Sequence, residues 1–277
     1  MLPIVLAGLS ALIWGTADYS GGRASQRAHP LAVTVISQAL GLPTLALCVI
    51  LLPGTPTAAD LAWGASSGLA GFFGVVLLYR ALASGAMAVV APLAAVTAAI
   101  VPIGVGLFTD SNPGMLALGG AGLAVVAIGL VSLTPQAGRP AVSPRLIVMS
   151  LVAGVFFGLL FALLGQSTEE SGMWPLAAGR LTSIAVGAAI LLGTRTAARL
   201  PRPALGWATV AGTLEIVANA CYLAAAVRGH LSIVAAIAAL YPASTVLLAL
   251  AVDRERLRPV QIAGLGLAAT ALVLATT

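Results

Sequence analysis

Charged residues are scarce in this chain of 277 residues. They make up 8% of it, and lysine is absent, so that all 13 basic residues are arginines. An ordinary soluble domain contains about 25% charged residues, and a soluble protein with 60% hydrophobic residues would have too little polar surface to cover itself. The composition therefore excludes a soluble globular protein. The arginines occur singly and form no basic stripe, which also excludes a nucleic-acid-binding surface.

Cysteine and histidine are rare as well, with two of each. Cys48 and Cys221 lie inside apolar stretches, where a cysteine usually acts as a small buried hydrophobic residue. Two cysteines without a histidine cluster nearby do not make a metal site. The sequence also has no ATP-binding motif, which excludes a primary pump within this chain.

Long apolar stretches fill the remaining sequence, separated by short segments rich in glycine, proline and charged residues. At about 20 residues for each crossing of a bilayer, they predict ten membrane-spanning helices. The N-terminus has no basic region and no clear cleavage site, so it is expected to be the first span rather than a signal peptide. The predicted spans are residues 3–20, 31–52, 61–82, 88–108, 114–133, 145–165, 174–193, 204–226, 231–251 and 259–276.

The two halves of the chain resemble each other at a nearly constant offset. VAPLAAV at 90–96 aligns with VAAIAAL at 234–240, and the same offset of 144 aligns Trp63 with Trp207. Five spans per half is an odd number, so the second half is expected to cross the membrane in the opposite direction. The sequence thus predicts an all-α integral membrane protein with ten transmembrane helices in two inverted five-helix repeats, residues 1–134 and 145–277.

Small residues and prolines predict how the spans pack. GASSG at 64–68 and GVFFG at 154–158 have the GxxxG spacing that lets helix backbones approach closely in lipid. GASSG also fits the G-x-S-x-G motif of hydrolases, but that motif requires a strand-to-helix turn. Prolines inside spans are candidate bends, at Pro43, Pro92, Pro102 and Pro242.

The arginines are distributed unevenly between the two sides of the predicted bundle. Odd-numbered loops hold 11 of them, even-numbered loops hold Arg228 alone, and Arg180 lies within the seventh span. The positive-inside rule then places the odd-numbered loops in the cytoplasm and both termini outside.

Several short motifs recur in the same order in both halves. ALIWGTADYSGGRAS lies near the start of the chain, and LASGAMAVVAPLAAVTAAIVPIG in the first half matches RGHLSIVAAIAALYPASTVLLAL in the second. The second half adds the Tyr241-Pro242 step, the Glu255-Arg256-Leu257 corner and a glycine-rich last span, whereas the first half has Thr109-Asp110-Ser111 at the corner. In this order and duplication the chain resembles the drug/metabolite transporter superfamily, in its ten-span EamA-type branch.

The resemblance implies a multi-pass permease of the cytoplasmic (inner) membrane, often an exporter. Its substrates would be small metabolites such as amino acids, nucleosides, sugars or amphipathic compounds, and the family has no prosthetic group. It also implies that both termini are cytoplasmic, whereas the arginine distribution favours the opposite orientation.

Glu215 lies near the middle of the predicted eighth span, and Asn219 and Tyr222 follow on the same helical face. A carboxylate at the centre of a membrane costs about 2.5–3.5 kcal/mol on insertion scales, so Glu215 is expected to face a cavity or a partner. The three residues are predicted to line a cavity and bind substrate or a proton. The alternative is a structural hydrogen-bond cluster between helices.

Arg180, in the seventh span, has three interpretations. It pairs with Glu215, it binds an anionic group of the substrate, or its long side chain extends to the nearby membrane interface.

Further polar and aromatic residues lie in other spans. Trp14 and Asp18 share a face of the first span, and the indole of Trp14 is suited to stacking against a flat or cationic group. Gln38 and Tyr241 are also predicted to line the cavity. Tyr79, near a span end, is expected to be an interface anchor.

These observations predict a secondary transporter, an exporter of small metabolites, that works by alternating access about a central cavity. Proton coupling through Glu215 and facilitated diffusion both stay open. The alternatives are a structural or signalling membrane protein, and an intramembrane enzyme, for which the sequence offers no convergent catalytic set. The predicted substrate-binding residues are Trp14, Asp18, Gln38, Arg180, Glu215, Asn219, Tyr222 and Tyr241.

Overall fold

The computed structural model describes residues 1–84 and 143–241, together with single positions and short stretches between 90 and 126 and between 244 and 270. Eight α-helices lie in the two long ranges, and neither range contains a strand. They are α1 (Leu2–Ser25), α2 (Pro30–Leu40), α3 (Leu42–Leu51), α4 (Ala58–Leu82), α5 (Pro144–Leu164), α6 (Trp174–Gly193), α7 (Arg202–Ala226) and α8 (Leu231–Ala238).

Six helical segments of this described part are long and apolar enough to cross a membrane. They are α1, α2 together with α3, α4, α5, α6 and α7, and they correspond to the first, second, third, sixth, seventh and eighth predicted spans. The fourth, fifth and tenth predicted spans and residues 242–251 of the ninth fall outside the two long ranges. The prediction of a multi-pass helical membrane protein is therefore confirmed, and the total of ten helices stays a prediction.

The second predicted span is divided in two at Gly41, between α2 and α3. Pro43 lies in the first turn of α3, where the proline ring has no N–H to offer the preceding turn. The helix is therefore interrupted next to Pro43, one of the prolines expected to bend a span. At the division the chain passes close to α7, because a Cβ added at Gly41 would lie 2.6 Å from the carbonyl oxygen of Gly212.

Successive helices place their connections at alternate ends of the bundle. Met1 and the connections 52–57, 165–173 and 227–230 meet at one end, which we call the Met1 face. Here Nη2 of Arg228 lies 2.7 Å from Oε1 of Glu169, and the N–H of Thr55 donates a 2.8 Å hydrogen bond to the carbonyl of Glu170.

The most extensive helix packing joins α1 to α7 and joins α4 to both α5 and α6. Glycines make the contact of α4 with α6 possible: a Cβ at Gly64 would overlap the backbone of Pro175, and one at Gly68 would overlap the backbone of Gly179. The GASSG motif is thus confirmed as a packing surface. Its close contact holds the start of α6, up to Arg180, directly against α4.

Candidate functional site

Arg180 of α6 and Glu215 of α7 form an ion pair inside the bundle. Nη1 of Arg180 donates a hydrogen bond to Oε2 of Glu215 at 3.2 Å. Both residues are buried, with 6% and 9% of their surface exposed. The structure therefore shows the first of the three interpretations of Arg180, the pairing with Glu215. Burial of Arg180 excludes the extension of its side chain to the membrane interface.

A small cavity adjoins this ion pair, with a volume of about 40 Å³. At 10–15 Å³ for each ordered water, it has room for about three water molecules. Polar groups from α2, α4, α6 and α7 line it, together with apolar side chains such as Leu160 and Phe72. The polar lining residues are Gln38, Ser67, Arg180, Ser183, Glu215 and Asn219.

Much of the hydrogen-bonding capacity of the ion pair is unused by the described residues. A guanidinium has five N–H donors, and within the described part of the chain Arg180 donates to Glu215 alone. The other carboxylate oxygen of Glu215, Oε1, receives no hydrogen bond from a described residue. Because both residues line the cavity, these groups are available to a polar ligand there.

Gln38 lies at the side of the cavity formed by α2. Its Oε1 accepts a 2.6 Å hydrogen bond from the hydroxyl of Ser183, three residues after Arg180 on α6. The bond links α2 to α6 across the site and fixes the orientation of the Gln38 amide.

Asn219 also lines the cavity, one turn after Glu215 on α7. Its Nδ2 donates a 2.7 Å hydrogen bond to the backbone carbonyl of Glu215 rather than to the carboxylate. Such a bond to the preceding turn holds a short polar side chain against its own helix, so Asn219 and Glu215 share a face without bonding through their side chains.

Trp14 and Tyr222 lie in an aromatic cluster with Phe161, outside the set of residues that line the cavity. Ring centroids are separated by 5.1 Å for Trp14 and Phe161, and by 4.9 Å for Phe161 and Tyr222. The hydroxyl of Tyr222 donates a 2.9 Å hydrogen bond to the carbonyl of Phe161. This cluster joins α1, α5 and α7 through apolar and backbone contacts.

Asp18 and Tyr241 are buried close to the site but do not line the cavity. Within the described part of the chain, the buried hydroxyl of Tyr241 has no hydrogen-bond partner.

The expectation that Tyr79 is an interface anchor is wrong. Only 1% of its surface is exposed, and its ring packs on α1, where a Cβ at Gly21 would overlap it. Its position in the sequence near the end of α4 suggested the membrane surface, but α1 covers it there.

The sequence did not single out Ser67, Ser183 or Asp60. Ser183 follows Arg180 by three residues, a spacing that places both on one helical face and could have identified it. Thr57 and Asp60 have the spacing of a capping box, and the structure contains both reciprocal hydrogen bonds of that motif.

These features define a multi-pass helical membrane protein with a charged pair beside a cavity among its helices. Residues 145–277 match the model of the EamA-like transporter family. The match covers slightly less than half of the chain and agrees with the resemblance seen in the sequence.

The fold, unlike the sequence, has a known counterpart. No curated protein matches the sequence. A crystal structure of a protein with 16% sequence identity superposes with a TM-score of 0.72, over 99% of this chain and 96% of that one. At this identity the likeness establishes a shared fold over the whole chain.

Proposed function

We propose that the chain is a secondary transporter, an exporter of small metabolites, that works by alternating access around the cavity beside Arg180 and Glu215. The observation that carries the proposal is a buried ion pair that lines a cavity and has donors and acceptors unused by the described residues, in a chain whose second half matches the EamA-like transporter family. The alternative of a purely structural protein predicted that Glu215 packs without a cavity, so the cavity favours transport.

Alternating access in this architecture depends on two inverted repeats, and the helix contacts support them. The packing of α1 on α7 has a counterpart in the packing of α5 on α4, as expected if α1 corresponds to α5 and α4 to α7. Helices α4 and α7 each have 25 residues. Glycines of the two corresponding helices α1 and α5 also make similar close contacts. A Cβ added at Gly15 of α1 would lie 2.8 Å from the nitrogen of Thr245, and one added at Gly158 of α5 would lie 2.7 Å from Cβ of Val101.

The ion pair suggests how substrate is recognised. An anionic group of the substrate competes with Glu215 for the guanidinium of Arg180, which favours bidentate binding of carboxylates and phosphates. The released Glu215 then takes up a proton or a cationic group of the substrate, because an unpaired buried charge is costly. Gln38, Ser183 and Asn219 supply hydrogen bonds around the bound molecule.

Substrate binding requires a wider cavity than the one described. Ligand sites usually enclose about 300–1,000 Å³, far more than the 40 Å³ beside the ion pair. We propose that Trp14, Asp18, Tyr222 and Tyr241, which surround the site without lining it, contact substrate when the helices separate. The four predicted residues that already line it are Gln38, Arg180, Glu215 and Asn219.

Transport by the purified protein in proteoliposomes tests the proposal. A growth screen of a deletion strain across a metabolite panel selects the substrates, and uptake is then measured with and without a pH gradient. We expect Glu215→Gln to abolish substrate-dependent flux or its response to pH, and Glu169→Gln, an exposed carboxylate at the Met1 face, to leave both unchanged. Unchanged flux and pH response in Glu215→Gln would refute proton coupling at this residue, and absence of flux across the panel would favour the structural alternative.

A further inference from the structure

Asp60, in the first turn of α4, is a buried carboxylate at the Met1 face that accepts four hydrogen bonds. Only 1% of its surface is exposed. Two bonds come from Thr57, through its N–H at 2.9 Å and its hydroxyl at 2.7 Å. The other two come from Thr168, through its N–H at 2.7 Å and its hydroxyl at 3.2 Å.

The two pairs of hydrogen bonds serve different parts of the structure. Those from Thr57 belong to the capping box of α4 and lie within the first proposed repeat. Those from Thr168 come from the connection between α5 and α6, in the second proposed repeat, and a helix cap does not need them. Asp60 therefore ties the two repeats together at one face of the membrane.

Contacts between the same two parts of the chain continue from Asp60 in both directions. Toward the face, Thr55 bonds to the carbonyl of Glu170, and a Cβ at Gly54 would overlap the backbone of Ser171 and Gly172. Toward the membrane centre, Gly64 lies on Pro175 and Gly68 lies on Gly179. Gly179 immediately precedes Arg180, so this row of contacts reaches from the Met1 face to the cavity.

We propose that the hydrogen bonds from Thr168 to Asp60 are the latch of a gate that closes the cavity toward the Met1 face. The inference rests on the proposed alternating access, in which the repeats separate at one face and then at the other. Hydrogen bonds to an ionised acceptor are the strong ones, and here the acceptor is shielded from water. The Arg228–Glu169 pair beside it is exposed, and exposed pairs contribute little.

Labelling of a cysteine in the cavity tests the latch without any substrate. The reporter is Ser67→Cys, which lines the cavity, in a chain whose Cys48 and Cys221 are replaced by alanine. A membrane-impermeant maleimide is added to one face at a time in vesicles of known orientation. We expect Asp60→Asn to raise the labelling rate from the Met1 face by about 10-fold, which corresponds to the loss of one hydrogen bond to a charged group, and to leave the rate from the other face unchanged or lower.

Two control variants separate the latch from its alternatives. Thr57→Val removes the side-chain cap of α4 but leaves both bonds from Thr168. Its labelling rate should therefore stay within about twofold of that of the reporter chain, a much smaller change than the loss of one hydrogen bond would cause. Arg228→Gln removes the exposed ion pair and should have no effect. If Thr57→Val matches Asp60→Asn, fraying of α4 explains the result and the latch is refuted.

Failure of the latch and failure of the proposed transport give different results. Unchanged labelling in Asp60→Asn, together with active transport by the unmodified protein, refutes the latch and leaves the transport proposal intact. Faster labelling from the Met1 face in a protein that transports no member of the panel supports a gated cavity and counts against the transport proposal.

Discussion

The hydroxyl of Ser183 donates a 2.6 Å hydrogen bond to Oε1 of Gln38, and this bond connects α6 to α2 beside the ion pair. Both residues are buried. We predict that Ser183→Ala lowers stability by about 1–3 kcal/mol, because the buried Gln38 oxygen loses its donor. The melting temperature in detergent measures this effect. The hydroxyl of Thr209 bonds within its own helix on an exposed surface, so Thr209→Ala is the control and should change little.

The Arg180–Glu215 pair should show strong coupling in a double-mutant cycle. Glu215→Gln and Arg180→Gln each leave one buried charge without its partner, at a cost of about 3–5 kcal/mol. The double variant leaves neither charge, so we expect it to be more stable than at least one single variant. Melting temperatures of all four proteins give the coupling, and strictly additive effects would show that the two charges do not interact.

Substitution of glycine at the contact between α4 and α6 should disrupt packing near the cavity. In Gly68→Ala the new methyl group would overlap the backbone of Gly179, which cannot move aside as a flexible side chain would. We predict a loss of about 1–3 kcal/mol, typical of overpacking, measured as a lower melting temperature. No described residue lies within 4 Å of a Cβ added at Gly206, so Gly206→Ala should be neutral or stabilising.

Removal of the Tyr222 hydroxyl tests whether this group has a structural role or binds substrate. Because the hydroxyl donates to the carbonyl of Phe161, the proposed substrate contact of Tyr222 would be made by its ring. We therefore predict that Tyr222→Phe, which keeps the ring, lowers stability by about 1 kcal/mol and leaves the KM of transport unchanged. A raised KM with unchanged stability would instead show that the hydroxyl contacts substrate. Parallel melting and transport measurements on one preparation separate the two.

Hydrophobicity and helix-ending residues allowed the six described spans to be predicted closely. The bounds of α6 agree at both ends with the predicted seventh span, 174–193, because Trp174-Pro175 and a short glycine- and arginine-containing segment mark them. Glu215 was also correctly placed away from lipid, since the cost of a charge at the membrane centre leaves few alternatives.

The surroundings of each polar side chain could not be predicted in the same way. Spacing along a helix assigned Glu215, Asn219 and Tyr222 to one face, yet the three have different partners: Arg180, a backbone carbonyl of the same helix, and Phe161. Those partners depend on which helices pack together, and one sequence does not specify this. Tyr79 and Asp60 near the ends of α4 illustrate the same limit, because both are covered by other segments.

Arg180 and Glu215 belong to consecutive helices, joined by residues 194–201. A lone charge of either sign costs about 2.5–3.5 kcal/mol at the centre of a bilayer. During synthesis, α6 emerges from the ribosome first and carries an arginine whose counter-charge has not yet been made. The charge of Arg180 is balanced by that of Glu215 as soon as α7 follows, so the insertion machinery has to accommodate the unmatched arginine only until the next helix has been made.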